Sequence, residues 1–138
     1  MACPITNPEE ALKLSADLLE MLRSLKREFE AQDPLRKTLA KGDFRKLLGS
    51  NIEDWIEKCC NLVSMLKQLQ GGIDVDACKL SSASADFEML SDYFSHLSKV
   101  TKQWVKDPEV LSVGMASLAQ REATTRNLVA ALKPSEHD

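Results

Sequence analysis

The amino-acid sequence predicts an all-α protein in which four long amphipathic helices form an antiparallel bundle, with a short, broken connecting helix near residues 34–49. Apolar residues recur three and four positions apart over four long stretches, which is the spacing of one helix face. The five glycines and five prolines fall between these stretches. A chain of 138 residues, 43% of them hydrophobic, suits one packed core. We therefore expect a single helical-bundle domain over residues 1–138, with frayed tails at 1–7 and 133–138.

The first long helix is predicted over about residues 8–32. Asn7 supplies a capping side chain, and Pro8 loses nothing at the first helical position because the amide there has no partner within the helix. Asp33-Pro34 ends the helix, since the residue before a proline avoids the α conformation.

The next segment, residues 34–49, is predicted as a broken connecting helix. Its apolar pattern is interrupted at Gly42-Asp43, where a left-handed glycine followed by a new capping residue would separate two short helices.

Three further long helices follow from the same reasoning. Ser50 or Asn51 caps a helix over about 51–70, which Gly71-Gly72 ends. Residues 71–81 are expected to form a loop, and a serine among Ser81, Ser82 and Ser84 is expected to cap a helix over about 83–106. Asp107-Pro108 begins the last helix, which continues to the tail.

The apolar stripes predict which side chains fill the core, because successive turns of one face point in the same direction. Trp104 belongs to the same stripe as the residues of the third long helix. The residues that we expect to be mostly buried are Leu18, Leu22, Leu25, Trp55, Cys59, Leu66, Leu90, Phe94, Leu97 and Leu118.

No set of residues predicts catalysis, a metal or a cofactor. Asp92 and His96 lie one helical turn apart and would supply half of a metal site, but the second histidine, His137, lies in the tail. Cys59 follows core spacing, and a buried cysteine is usually unreactive. The glycines match no phosphate-binding motif. We therefore expect a protein that is not an enzyme, with no cofactor and no metal.

Positive charge is concentrated in residues 21–50, where eight basic and four acidic side chains give a net charge of +4, whereas the rest of the chain carries −7. This region is the alternative hypothesis for function, namely binding of nucleic acid or of an anionic membrane surface. A helix-turn-helix across Pro34 to Gly49 is one form of that alternative, although its second helix would be short. The candidate partner-binding residues here are Arg36, Lys37, Lys41, Arg45 and Lys46.

A polar stretch from Arg121 to Asn127 interrupts the apolar stripe of the last helix and is expected to be exposed or to contact a polar partner. Arg121 and Arg126 are therefore added to the candidate partner-binding residues. Small residues just before this stretch, including Gly114 and Ser117, would allow another helix to approach closely.

The leading hypothesis is a non-enzymatic protein–protein interaction module, a small adaptor or a structural subunit of a larger assembly. A protein partner is expected, and association of the chain with itself remains an alternative. The sequence contains no transmembrane stretch and no secretion signal, and its cysteines suggest reduced thiols, so a cytoplasmic location is expected.

Overall fold

The computed structural model describes residues 5–134, apart from the side chain of Trp104. The expectations for residues 1–4 and 135–138, and for the Trp104 side chain, therefore lie outside the described residues. The described chain is all-helical and contains no strand. Its helices are α1 (Pro8–Glu30), α2 (Pro34–Leu48), α3 (Ile52–Gln70), α4 (Ala77–Trp104) and α5 (Pro108–Ala131). The predicted all-α class and the breaks near Asp33-Pro34, Gly71-Gly72 and Asp107-Pro108 are confirmed.

Three helices begin with the predicted combination of a capping side chain and a proline. The side chains of Asn7, Asp33 and Asp107 accept hydrogen bonds from amides in the first turns of α1, α2 and α5. In each helix the proline occupies the first or second position. These local signals place the helix starts because the cap and the proline act on neighbouring atoms only.

The connecting segment differs from the prediction, since α2 is one continuous helix through Gly42. The left-handed residue is Gly49, with φ of 77°, and it ends the helix seven residues later than expected. A glycine inside a helix costs only about 1 kcal/mol relative to alanine. Burial of Phe44 and Leu48, one turn apart, outweighs that cost. The expected break at Gly42-Asp43 is therefore wrong, and so is the helix-turn-helix.

The helix α4 begins at Ala77, six residues before the predicted start. Asp76, rather than a serine, caps it by accepting a hydrogen bond from the amide of Cys78 at 2.8 Å. Leu80 is buried and extends the apolar stripe of α4 by about two turns before Phe87. The expected loop over 71–81 is consequently shorter.

The helices pack around α1, which contacts both α3 and α5, while α5 packs extensively against α4. These contacts are compatible with a bundle of the four long helices. The edge-to-face contact of Trp55 with Phe87, with ring centroids 5.9 Å apart, joins α3 to α4. The short helix α2 lies against α1, α3 and α4, where Phe44 packs on Phe29 and Tyr93.

The core matches the sequence prediction closely. Nine of the ten expected residues are buried, and Leu97 is partly buried against them. Ile5 is also buried and forms an isolated backbone bridge with Pro134. Both positions fall in the segments expected to be frayed, 1–7 and 133–138, and burial of the apolar side chain of Ile5 favours this contact.

Candidate functional site

A cleft of about 360 Å³ opens between α2 and α5, and we call it the α2/α5 cleft. Within residues 5–134 these two helices do not contact each other. Arg36 and Ala40 line the cleft from α2, whereas Gly114 and Ser117 line it from α5. The cleft exists because small residues on α5 face a short helix that is anchored elsewhere.

The floor of the α2/α5 cleft is apolar. It is formed by side chains from α1, α4 and α5, which belong to the core or pack against it. These residues are Leu25, Phe29, Leu97 and Leu118.

Exposed apolar side chains are concentrated on the two helices that form the walls of this cleft. In the described chain seven large apolar side chains are exposed, and five of them lie on α2 or on the first two turns of α5. Large apolar side chains gathered at one place on a surface are typical of interaction sites. The five are Leu35, Leu39, Leu47, Val110 and Val113.

Helical spacing relates two of these side chains to the cleft. Leu47 lies on the same face of α2 as Arg36 and Ala40, since it follows them by eleven and seven positions. Val110 precedes Gly114 by one turn on α5 and continues the row that lines the cleft. Leu47 and Val110 therefore lie on the faces of α2 and α5 that border the cleft.

Arg121 lies in the α2/α5 cleft and is almost completely buried, with a side chain that is 9% exposed. Its Nη2 donates to Oε2 of Glu28 on α1 at 2.6 Å. The neighbouring polar residue Thr125 is also buried, and its hydroxyl donates to the carbonyl of Arg121. The expected exposure of this polar stretch is thus wrong at Arg121 and Thr125, which find polar partners within the chain.

Three of the five basic residues predicted as a cluster on α2 pair with acidic side chains. Lys37 and Lys41 both pair with Glu30 at the end of α1. Hydrogen bonds from these two ammonium groups lower the pKa of Glu30 to about 2. Arg36 pairs with Asp33, its Nε lying 3.4 Å from Oδ2.

The remaining candidates lie apart from these pairs. Arg45 and Lys46 are exposed, and neither forms a salt bridge with any residue that the structure describes. Arg126 is exposed on α5 and donates to Glu122, one turn earlier, from Nε and Nη2. The α2/α5 cleft thus brings together only two of the seven predicted residues, Arg36 and Arg121.

Acidic neighbours also pair much of the positive charge elsewhere in residues 21–50. Lys26 lies 3.9 Å from Glu53, and Arg27 lies 3.4 Å from Glu20. Five of the eight basic side chains of this region, counting those on α2, therefore have an acidic partner. This pairing reduces the local positive potential that nucleic acid or an anionic membrane would require.

A second cavity, of about 640 Å³, lies between α3 and α4. Its apolar floor, which includes Leu62 and Phe87, is already buried. The salt bridge of Lys58 with Asp86, at 3.6 Å, crosses between the two helices.

Within residues 5–134, the three cysteines and His96 form no cluster with other residues that could hold a metal ion. Burial raises the pKa of Cys59 to about 12, and its thiol donates to the carbonyl of Ser15 at 3.3 Å. Cys78, Asp92 and His96 are exposed. Among the described residues, no group of three or more His, Cys, Asp or Glu side chains is close enough to hold a metal ion.

Sequence reasoning missed Glu28, whose partner Arg121 is 93 positions away. No local pattern connects two such residues. The small residues Gly114 and Ser117 were recognised as allowing close approach, whereas in the structure they line an open cleft. The absence of a large side chain leaves room that α2 does not fill.

Comparison of the chain with protein-family models, with characterised proteins and with solved structures finds no match. In the part of the chain that the structure describes, no helix is both long and apolar enough to cross a membrane. We therefore argue function from the residues of the cleft.

Proposed function

We propose that this chain is a non-enzymatic interaction protein that binds a segment of a partner protein in the α2/α5 cleft. The observation that carries this proposal is the concentration of exposed apolar side chains on the two helices that border an open, apolar-floored cleft. In this proposal the four long helices form an antiparallel bundle, which serves as the rigid support for the cleft, and the protein acts as an adaptor or as a subunit of an assembly.

The energy available from the exposed side chains supports a weak or moderate complex. Complete burial of one Val or Leu contributes about 1.5–3 kcal/mol, so covering Leu47 and Val110, which are 43% and 59% exposed, contributes on the order of 2 kcal/mol. Association itself costs about 4 kcal/mol or more. Apolar contact alone is therefore insufficient, and a stable complex would need polar contacts as well.

The free thiols of Cys59, Cys60 and Cys78 support a reducing environment, and we propose a cytoplasmic location on this basis. Measurement of the oxidation state of these thiols in freshly lysed cells tests this proposal. Finding any of them in a disulfide would contradict it.

Position-specific photo-crosslinking tests the proposed binding site. A photoreactive amino acid replaces Ser117 in the α2/α5 cleft or, as a matched control, Ser64 in the groove between α3 and α4. Irradiation in cells of the protein's source should produce a discrete protein adduct from position 117 and none from position 64. Equal adducts from both positions, or adducts from position 64 alone, would contradict the proposed site.

A pair of charge substitutions tests whether the exposed apolar rim contributes. Val110 and Ile73 are exposed to 59% and 58%, and only Val110 lies at the cleft, so both can be changed to Asp at equal cost to solvation. Val110→Asp should abolish the adduct formed at position 117, and Ile73→Asp should leave it unchanged. Retention of the adduct in Val110→Asp would mean that the rim takes no part in binding.

A further inference from the structure

Building on the proposed function, we infer that the occupant of the α2/α5 cleft is an amphipathic helix of a partner protein whose apolar face carries one carboxylate, and that this carboxylate pairs with Arg121. Three features of the cleft support this: the unused donors of Arg121, the charge of the two walls, and the helical nature of the walls.

The guanidinium of Arg121 retains hydrogen-bonding capacity that the chain itself does not use. A guanidinium carries five N–H donors in a planar fork. Within the described residues, the only hydrogen bond from this side chain runs from Nη2 to Glu28. Its other nitrogens are not among the fully buried side-chain atoms that lack a partner, so they keep some access to solvent, and Arg121 is one of the residues that line the cleft. A carboxylate is the group that fits two parallel N–H donors of arginine.

The charges around the cleft favour an anionic group on the partner. Arg121 lies on the α5 side and Arg36 on the α2 side, while Glu28 is the single acidic residue among those that line the cleft. The Nε of Arg36 lies 3.4 Å from Oδ2 of Asp33, and 76% of the Arg36 side chain is exposed. A carboxylate inside the cleft would therefore lie near two guanidinium groups, each of which pairs with one acid of the chain and keeps further N–H donors.

The apolar floor determines which kind of anion fits. Leu25, Phe29 and Leu118 would face the occupant next to Arg121. A nucleic acid carries a hydrated phosphate at every nucleotide. Its binding here would place these phosphates against apolar side chains, which costs free energy. A protein segment that has apolar side chains on both sides of one acidic residue satisfies the floor and the arginine together.

The walls indicate that the segment is helical. Both walls are helices, whose interior backbone groups are already hydrogen-bonded, so they offer no edge to which an extended strand could add. The row from Val110 to Arg121 spans twelve residues, and its eleven steps of 1.5 Å make it about 16 Å long. This length matches about three turns of a partner helix, with apolar anchors at positions i, i+4 and i+7.

The inference is tested by selecting binders from a displayed library of helical peptides with randomised faces, using the full chain as target. Peptides that also bind the Ser117→Trp variant, in which the large side chain fills the cleft, are removed. We expect the remaining peptides to share Asp or Glu at one fixed position between two apolar anchors. Affinity for a selected peptide should fall as salt concentration rises, because the pairing is electrostatic.

Substitution of the arginines then separates charge from geometry. Arg121→Lys keeps the charge but loses the planar fork, and the affinity for a selected peptide should fall about tenfold or more. Arg36→Gln changes an exposed side chain that leaves the fold intact, and it should weaken binding by a smaller factor. The control Arg126→Gln lies on α5 outside the cleft and should bind as the unmodified chain does. Thermal unfolding of each variant verifies that it is folded.

The possible results distinguish this inference from the proposed function. Selected peptides that lack a shared acid, and that bind Arg121→Lys and Arg36→Gln unchanged, overturn the inference while the cleft remains a protein-binding site. Failure to select any peptide that Ser117→Trp excludes overturns both. An oligonucleotide that binds the chain and displaces a selected peptide from the cleft would also overturn the inference, in favour of a polyanion.

Discussion

The guanidinium of Arg121 and the carboxylate of Glu28 join α5 to α1 through one short contact, 2.6 Å from Nη2 to Oε2. The two partners differ in their access to water, since 9% of the Arg121 side chain is exposed and 52% of the Glu28 side chain. Removal of Glu28 therefore has a different consequence from removal of Arg121, because a charge left without a partner costs more where water has less access to it.

This asymmetry predicts the outcome of two substitutions. Glu28→Ala leaves the buried guanidinium without its carboxylate and should lower the free energy of unfolding by about 2 kcal/mol. Arg121→Met keeps the apolar stem and leaves a hydrated acid, and it should cost less than about 1 kcal/mol. Urea unfolding followed by circular dichroism measures both values. A larger loss in Arg121→Met than in Glu28→Ala would show that the pair does not behave in this way.

Substitution by alanine is expected to have opposite effects at Gly42, inside α2, and at Gly49, which caps the end of α2. Gly42 lies inside the helix, and Gly42→Ala should raise the free energy of unfolding by about 0.5–1 kcal/mol. Gly49 ends the helix in the left-handed region, and Gly49→Ala should lower it by about 1 kcal/mol. An added Cβ meets no atom within 4 Å at either site, so the difference reports backbone conformation alone. If Gly42→Ala is the destabilising change, α2 is broken at that position in solution.

The pairing of Glu30 with Lys37 and Lys41 predicts a contribution to acid sensitivity. The pKa of Glu30 falls from 4.5 to about 2 in the folded protein, so the folded state binds fewer protons than the unfolded state between these values. The resulting stabilisation is present above about pH 4.5 and is lost as the pH falls towards 2. Glu30→Gln should therefore flatten the fall in Tm over this range.

The control for this experiment is Glu57→Gln, which replaces an exposed acid that forms no salt bridge within the described chain. Tm is measured by circular dichroism from pH 2.5 to 6 for the unmodified chain and both variants. Identical slopes in Glu30→Gln and in the unmodified chain would contradict the predicted role of Glu30.

The different burial of Cys78, Cys60 and Cys59 predicts the order in which their thiols react with a maleimide. Cys78 is exposed, Cys60 is partly buried and Cys59 is buried, with a pKa raised to about 12 that leaves almost no thiolate at pH 8. Maleimide labelling followed by peptide mapping should modify Cys78 first and Cys60 more slowly. Cys59 should react only after the protein is unfolded in urea, and its modification in the native protein before Cys78 would contradict the packing of α1 against α3.

Most of the helix boundaries could be predicted because their causes are local. The caps at Asn7, Asp33 and Asp107 act on amides within three residues, so the sequence contains both partners side by side. The core residues followed from helical spacing for the same reason. Leu97 is the exception among the ten, because it packs beside the cleft, where α2 does not reach α5.

The two errors in helix boundaries have a common physical cause, which is packing against distant residues. In the sequence, Gly42 followed by Asp43 resembles a helix end. In the structure, Phe44 packs on Phe29 and Tyr93, and this contact favours a continuous helix. Leu80 is buried in the core, and this favours an earlier start of α4 than the serines indicated. Neither contact is visible in a local window of sequence.

The candidate site was predicted less well than the fold. A count of charges in residues 21–50 treats Lys37 and Lys41 as available, whereas the turn at residues 31–33 brings both of them to Glu30. Arg121 seemed to interrupt a helix face, but its partner lies on another helix. The cleft results from the spacing of the helices, and no sequence motif marks the residues that line it.

The bridge between Ile5 and Pro134 brings the two ends of the described chain together. On α1 the cleft begins at Leu25, about 25 Å along the helix from Pro8. A short linker can therefore join the ends, and new termini can be opened at the exposed turn of Gly71 and Gly72 to give a circular permutant. Such a permutant would keep the cleft while reversing the order in which its two walls are synthesised, placing α5 before α2.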